Sequence, residues 1–208
     1  MRLDPAGLPF IGGAVLLAVV SGAAAGWLLA VPFLVVGGFL AFFFRDPERP
    51  APARADAVIS PADGRVLVAG PAVASAAPPG AWQQVSIFLS PMDVHVNRIP
   101  ASGRVTKVSL TPGRFLPAYR DDAATVNERS EIWIDHAGQP IVARQIVGIL
   151  ARRVVCRVQE GAEVRAGDRY GIMKFGSRMD VFLPTSAEIT VAVGQTVRGG
   201  ETVIAVLH

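Results

Sequence analysis

Residues 5–44 carry no charged side chain, and from Ala57 onward apolar and polar positions alternate along the chain. The uncharged run would make a helix of roughly 60 Å at 1.5 Å per residue. One bilayer crossing needs only about 30 Å. The run is therefore too long for one span and suits two short arms, residues 8–25 and 27–44, with Ser21-Gly22-Ala23-Ala24-Ala25-Gly26 as the bend. A re-entrant hairpin that dips into one leaflet fits the same pattern. A signal peptide cleaved near Ala23-Ala24-Ala25 is the competing reading, and the second apolar arm argues against it. Arg45-Asp46-Pro47-Glu48-Arg49-Pro50 marks the exit, because its prolines cannot continue a helix. Residues 1–50 are thus expected to form a membrane-anchoring hairpin, and 51–208 a separate domain.

In that second part the period of two predicts strands over 64–68, 84–89, 103–110, 131–134, 141–147, 151–158, 169–174, 179–183, 188–193 and 202–207, punctuated by Gly and Pro. Residues 71–80 read as a loop, and 112–130 leave room for a short helix. Gly161-x-x-Val164-Arg165-x-Gly167-Asp168 recurs as Gly194-x-x-Val197-Arg198-x-Gly200-Glu201, each copy leading into a strand. Paired turns of this kind belong to small barrels and sandwiches such as lipoyl carrier domains. The expected fold is mainly β, barrel- or sandwich-like with lipoyl-like hairpins, behind an N-terminal helical hairpin. Lys174 is the nearest match to a carrier lysine, but it lacks the Met that would follow one. Exposed sheet edges suit a homodimer.

Composition narrows the function classes. The formal net charge is +3, from scattered arginines rather than basic blocks. That is compatible with anionic lipid and gives no nucleic-acid footprint. Cys156 is the only cysteine, so neither an intrachain disulfide nor a Cys-based zinc site can form. No pair of metal ligands has helix or hairpin spacing. Arg2 at one end of the hairpin and Arg45, Arg49 and Arg54 at the other put both ends in the cytoplasm by the positive-inside tendency.

Three polar clusters interrupt the strand pattern. Ser60-Pro61-Ala62-Asp63-Gly64-Arg65 reads as a β-turn in which Asp63 caps its own backbone, or as the seat of a functional carboxylate. In Ser90-Pro91-Met92-Asp93-Val94-His95-Val96-Asn97-Arg98, alternation would set Asp93, His95 and Asn97 on one strand face. The chain has three histidines; His208 is terminal and His136 lies in a turn signal, which leaves His95 as the well-placed base. The third cluster is Gly176-Ser177 between two apolar runs. Glycine has no Cβ, so a neighbouring hydroxyl can approach its carbonyl. Asp63, His95 and Ser177 together suggest an orienting carboxylate, a base and a nucleophile. A plain hairpin turn at Gly176-Ser177 is the alternative. No Gly-x-Ser-x-Gly elbow is present, which excludes the α/β-hydrolase pattern.

With these residues assembled, the chain resembles the short form of phosphatidylserine decarboxylase, a pyruvoyl-dependent membrane enzyme. The matching segments are Phe42-Phe43-Phe44-Arg45-Asp46-Pro47-Glu48-Arg49, Ser60 to Gly64, Ser90 to Arg98, Asn127-Glu128-Arg129, Ile149 to Val155 and Lys174 to Val181. The resemblance implies that Ser177 attacks the carbonyl of Gly176, the chain breaks there, and the new terminus at 177 becomes a pyruvoyl cofactor. That group would form a Schiff base with phosphatidylserine and release phosphatidylethanolamine. Gly176, Ser177, His95 as base and Asp63 as its orienting partner carry the implied chemistry. Long-form relatives have two histidines three apart; here the second position is Arg98. Arg98 becomes a candidate for the substrate phosphate or carboxylate, with Arg114 and Lys107 as weaker ones. The implied partners are phosphatidylserine and membrane lipid. A decarboxylase for a serine ether lipid, and a non-enzymatic membrane-anchored lipoyl-like binding module, are the alternatives.

Overall fold

The computed structural model describes residues 2–149, 154–174 and 176–208. They fall into two compact units, one ending at Glu48 and one beginning at Arg49.

In the first unit, strand β1 (Arg2–Leu3) pairs with β2 (Arg45–Asp46) and closes a hairpin of helices α1 (Leu8–Ala25) and α2 (Val31–Phe43). Gly26 makes the bend with φ +93°, a conformation open to glycine. The arms meet through small residues: Ala14 and Ala18 are buried, and a Cβ on Gly37 would stand 3.6 Å from that of Ala14. Leu16, Leu17, Val19, Val20, Leu34 and Val35 point outward and are exposed. The stretch Pro5–Ala25 is long and apolar enough to cross a membrane; Trp27–Phe43 is shorter.

The second unit is strand-rich, as the alternation predicts. In chain order it contains β3 (Ala57–Ile59), β4 (Gly64–Pro71), β5 (Gln83–Leu89), β6 (Val96–Arg98), β7 (Gly103–Thr111), the short helix α3 (Ala123–Val126), β8 (Arg129–His136) and β9 (Gln139–Val147). Then follow β10 (Val154–Cys156), β11 (Glu163–Val164), β12 (Arg169–Met173), β13 (Ser177–Leu183), β14 (Glu188–Ile189), β15 (Thr196–Val197) and β16 (Val203–Val206). The strand expected over 151–158 begins outside the described residues and runs as β10 from Val154.

An antiparallel sheet of order β11-β7-β8-β9-β13-β5-β4-β15 faces two small sheets, β10-β12-β6 and β14-β16-β3. Their inward side chains share one core, including Val66, Ile87, Val105, Ile132, Met179 and Ile204. The large sheet keeps two edges, so of the two expected forms it is the sandwich and not a closed barrel.

The pairing pattern reads alike from both edges, because the unit is built twice. Glu163 and Val164 pair with Arg104 and Gly103, just as Thr196 and Val197 pair with Arg65 and Gly64. Bulges fall at Val105/Lys107 and at Val66/Val68. The sequence echo at 161–168 and 194–201 is half of this repeat. The other half is Pro61-Ala62-Asp63-Gly64-Arg65-Val66 against Pro100-Ala101-Ser102-Gly103-Arg104-Val105. One copy comprises β6 to β12 without interruption. The other begins as β3–β5 and resumes at β13, so the first copy is inserted between β5 and β13.

Candidate active site

That insertion point is where Gly176 and Ser177 lie. In the uninterrupted copy, β8 turns into β9 through Ala137-Gly138, with φ of 51° and 87° and His136 opposite Gln139. This is the two-residue hairpin with both central residues at positive φ. The equivalent pair in the other copy is Leu89 opposite Ser177. Gly176 thus occupies the position of the turn glycine Gly138, and it has the same left-handed backbone, φ +73°. Here, however, it joins two strands of different sheets, β12 and β13, instead of closing a hairpin.

Ser177 opens β13 and is held by Leu89 of β5 on one side and Val147 of β9 on the other. Its side chain is fully buried, and its Oγ has no hydrogen-bond partner. A buried orphan hydroxyl costs about 1–3 kcal/mol, and such a group in a native structure calls for a reason. The carbonyl oxygen of Gly176 lies against Gly148, where a Cβ would come within 2.1 Å of it. Only glycine at 148 admits this approach. The strand predicted over 141–147 ends just before this residue, so the strand pattern gives no signal for it.

His95 is buried and precedes β6 instead of lying within a strand. Asp93 forms a turn: its Oδ2 accepts the Ser90 N–H at 2.8 Å. The chain then folds the imidazole back so that Nδ1 is 2.9 Å from the Asp93 carbonyl oxygen. A carbonyl only accepts, so Nδ1 donates. The Gly176 N–H donates to His95 Nε2 at 3.4 Å, so that nitrogen accepts. Both contacts are met by the imidazole tautomer with its hydrogen on Nδ1, which turns Nε2 toward the peptide that precedes Ser177.

Asp63 stands at the start of β4, at the same end of the sheet and two strands from Ser177. Its Oδ2 accepts from Arg49 Nη2 at 2.8 Å, Arg49 Nη1 binds Oδ1, and the Gly199 N–H donates to Oδ1 at 2.8 Å. Its carboxylate therefore bonds Arg49 and the Gly199 turn, not His95. Ser102, its counterpart in the other copy, accepts the Ala166 N–H at 3.0 Å in the same way. Arg49 was legible only as a membrane-exit charge; the fork across 14 residues of chain had no sequence signal.

Arg98 is 3% exposed and donates to the Gly167 carbonyl at 3.0 Å. Its stem fills the space left by the absent Cβ of Gly200. It is thus clamped by both copies of the echo turn rather than presented at the surface. Arg114 is exposed beside the site, in a bridge with Asn127. Asn127 is buried; it donates to Val147 O, opposite Ser177, and to Leu116 O, both at 2.8 Å. Lys107 reaches toward the Trp133 ring at 5.8 Å. Its register runs through Trp133 and Val142 to Phe182, which puts it roughly 20 Å from Ser177.

A cavity of about 340 Å³ opens beside this bond, lined by Phe88, Pro91, Pro117, Tyr119, Gly148 and Gly176 among others. Its walls are almost wholly apolar. Among the described residues no group of His, Cys, Asp and Glu is placed to hold a metal ion.

Residues 36–205 match the family model described as phosphatidylserine decarboxylase. The chain is similar to three proteins named phosphatidylserine decarboxylase proenzyme. It is 42% identical to that of Nitrosomonas europaea, over 97% of this chain and 94% of the relative. It is 48% identical to that of Gluconobacter oxydans, over 81% and 77%. It is 44% identical to that of Granulibacter bethesdensis, over 97% and 84%. A match that spans both units' junction and every strand of the β unit, at this identity, identifies the chain as a member of the phosphatidylserine decarboxylase family.

Proposed function

We propose that this chain is a self-processing proenzyme that converts phosphatidylserine to phosphatidylethanolamine with a pyruvoyl group made from Ser177. The observation that carries the reading is the backbone at Gly176: left-handed, bound through its N–H to His95 Nε2, and followed by a buried hydroxyl with no hydrogen-bond partner.

Ser177 Oγ attacks the carbonyl carbon of Gly176. The C–N bond breaks, the Ser177 nitrogen takes up a proton, and an ester replaces the amide. His95 Nε2 is the base assigned to accept the hydroxyl proton. Gly148 leaves room for the Gly176 carbonyl oxygen. Loss of the Ser177 Cα proton then expels the Gly176 carboxylate, and water replaces the nitrogen as ammonia. One water is consumed overall, and the products are a chain ending at Gly176 and one beginning with a ketone at 177. The residues fit this group: the carbonyl cradle and the unengaged hydroxyl are both in place. When formed, the pyruvoyl group supplies a keto carbonyl beside an amide, an electron sink for the pair left by departing CO₂.

Asp63, paired with Arg49, fixes the Gly199 turn at the β4 end of the site. Arg114, exposed beside the site, is the better placed of the three cations for a lipid phosphate. The helical hairpin anchors the enzyme to the membrane, and Arg2 and Arg45 favour a cytoplasmic β unit.

Intact mass under denaturing conditions tests the reading. The wild-type chain should give two species, residues 1–176 and a 177–208 fragment blocked at its N-terminus. Ser177→Ala should give one species and release no CO₂ from phosphatidylserine. An uncleaved Ser177→Ala protein with full activity would refute it.

A further inference from the structure

The rim of the cavity beside Gly176 is apolar and exposed, and among the described residues no strand or helix of the unit covers it. Four large side chains on three separate loops surround the opening. Met92 follows the lining residue Pro91, Phe115 precedes Pro117, and Tyr119 and Ile149 are lining residues themselves; they are 58%, 39%, 61% and 57% exposed. Two of these loops, those of Met92 and of Phe115 and Tyr119, are held in place. Asn127 pins Leu116 from both sides of its peptide, Asp93 caps the turn at Ser90, and the Tyr119 ring packs edge-on against Phe88 at 5.9 Å. Apolar side chains fixed outward around a pocket are not a fluctuation of the surface; they mark a contact.

We infer that this rim is a second membrane contact, built into the β unit itself, through which one phosphatidylserine passes from the bilayer into the cavity. The inference rests on the decarboxylase reading for the identity of the lipid. Three observations favour a bilayer over a second copy of the chain. The cavity is continuous with the Gly176–Ser177 bond, so its occupant must leave it open to substrate. At about 340 Å³ it lies at the small end of ligand pockets, too small for a two-chain lipid, whose tails must stay in the membrane while the head group reacts. Arg114 stands exposed next to Phe115 with no carboxylate paired to it among the described residues, a charge that complements an anionic lipid surface. Met, Phe, Tyr and Ile around a basic residue are the composition of an interfacial contact.

The test uses the full chain reconstituted into phosphatidylcholine vesicles. Activity is measured on long-chain phosphatidylserine in the same bilayer and on monomeric dihexanoyl phosphatidylserine supplied from water. Met92→Ser/Phe115→Ser removes rim side chains that do not line the cavity. It should lower turnover of the bilayer lipid by about tenfold and change that of the dispersed lipid by less than about twofold. Equal loss on both lipids, or none on either, overturns the inference. So does a variant whose only change is a smaller oligomer, which would assign the face to a second copy. A wild-type chain inactive on both lipids would instead sink the decarboxylase reading. A depth measurement then decides the rim alone: Phe115→Trp should be quenched by lipids brominated on the acyl chain and Thr106→Trp should not, and an unquenched Phe115→Trp overturns the contact.

Discussion

Gly148 shows how much of the proposed chemistry depends on an atom that is absent. Its backbone φ is not positive, so alanine can adopt the same conformation. The substitution therefore acts through one contact, the Cβ at 2.1 Å from the Gly176 oxygen. That contact must push the carbonyl away from the Ser177 hydroxyl or shift the 148–149 loop. A displacement near 1 Å costs on the order of a hundredfold in rate. Gly148→Ala should accordingly fold, keep the sheet and accumulate the 177–208 fragment about a hundred times more slowly, as followed by denaturing gel over time. Cleavage at the wild-type rate would mean that the carbonyl oxygen moves elsewhere before reaction. The types of residue at the centre were legible in the sequence: a Gly-Ser pair between strands, and a single well-placed histidine. Their partners were not. Alternation along 93–97 gave a strand face, whereas Asp93 caps a turn and swings the imidazole onto Gly176. Arg98 read as a substrate-facing cation, because periodicity cannot show that two turns 33 residues apart close over it.

The elements show the same division between local pattern and distant contact. Long half-buried strands announce themselves: β8 alternates Ser130, Ile132 and Ile134 inward against exposed or half-exposed neighbours. β3 and β6 are buried at every position and three residues long, so no period of two exists to be read. β11 and β15 are two residues each, and only the sequence echo marked them. The duplication itself was half visible, since only the strand pairing aligns the two Pro-Ala-x-Gly-Arg-Val segments. Its consequence for the proposed cleavage is mechanical. Residues 177–208 supply β13, which is hydrogen-bonded on both sides through Val181 and Phe182, and they also supply β14, β15 and β16. The two products of cleavage should therefore stay together through gel filtration and separate only in denaturant; a free 177–208 fragment in native buffer would contradict this. The turn at 199–201 is tied in by the Arg49–Asp63 fork, whose side chains are 10% and 14% exposed. Arg49→Gln would leave a mostly buried carboxylate with one N–H donor and should lower stability by about 3 kcal/mol. Asp63→Asn in the same chain should recover part of that loss, which a urea-denaturation cycle measures.

At the scale of the whole β unit, the two copies share a single core, and its most telling member is Tyr170. The side chain is fully buried on β12, with its hydroxyl 3.7 Å from Met179 Sδ on β13. A thioether is a weak acceptor, so the phenol is nearly unsolvated. Burial pushes its pKa well above the ordinary value of 10.0, with nearby Cys156 adding to the shift. The consequence for stability has a definite sign. Below about pH 10 the phenol is neutral in both folded and unfolded chains, and the packing of Tyr170 contributes in full. Above that value the unfolded chain loses the proton while the folded one keeps it, so the unfolded state is favoured by about 1.4 kcal/mol for each further pH unit. The loss continues until the raised folded value is reached. In the uncleaved Ser177→Ala background, where unfolding involves one chain, the urea midpoint should fall between pH 10 and 11 and do so less steeply in Tyr170→Phe. Both proteins should agree at pH 8 to within about 1 kcal/mol, since the hydroxyl makes only a weak bond. Equal slopes would show that the phenol reaches water before the sheets separate, and that the shared core opens at β12 and β13, next to the Gly176–Ser177 bond, ahead of global unfolding.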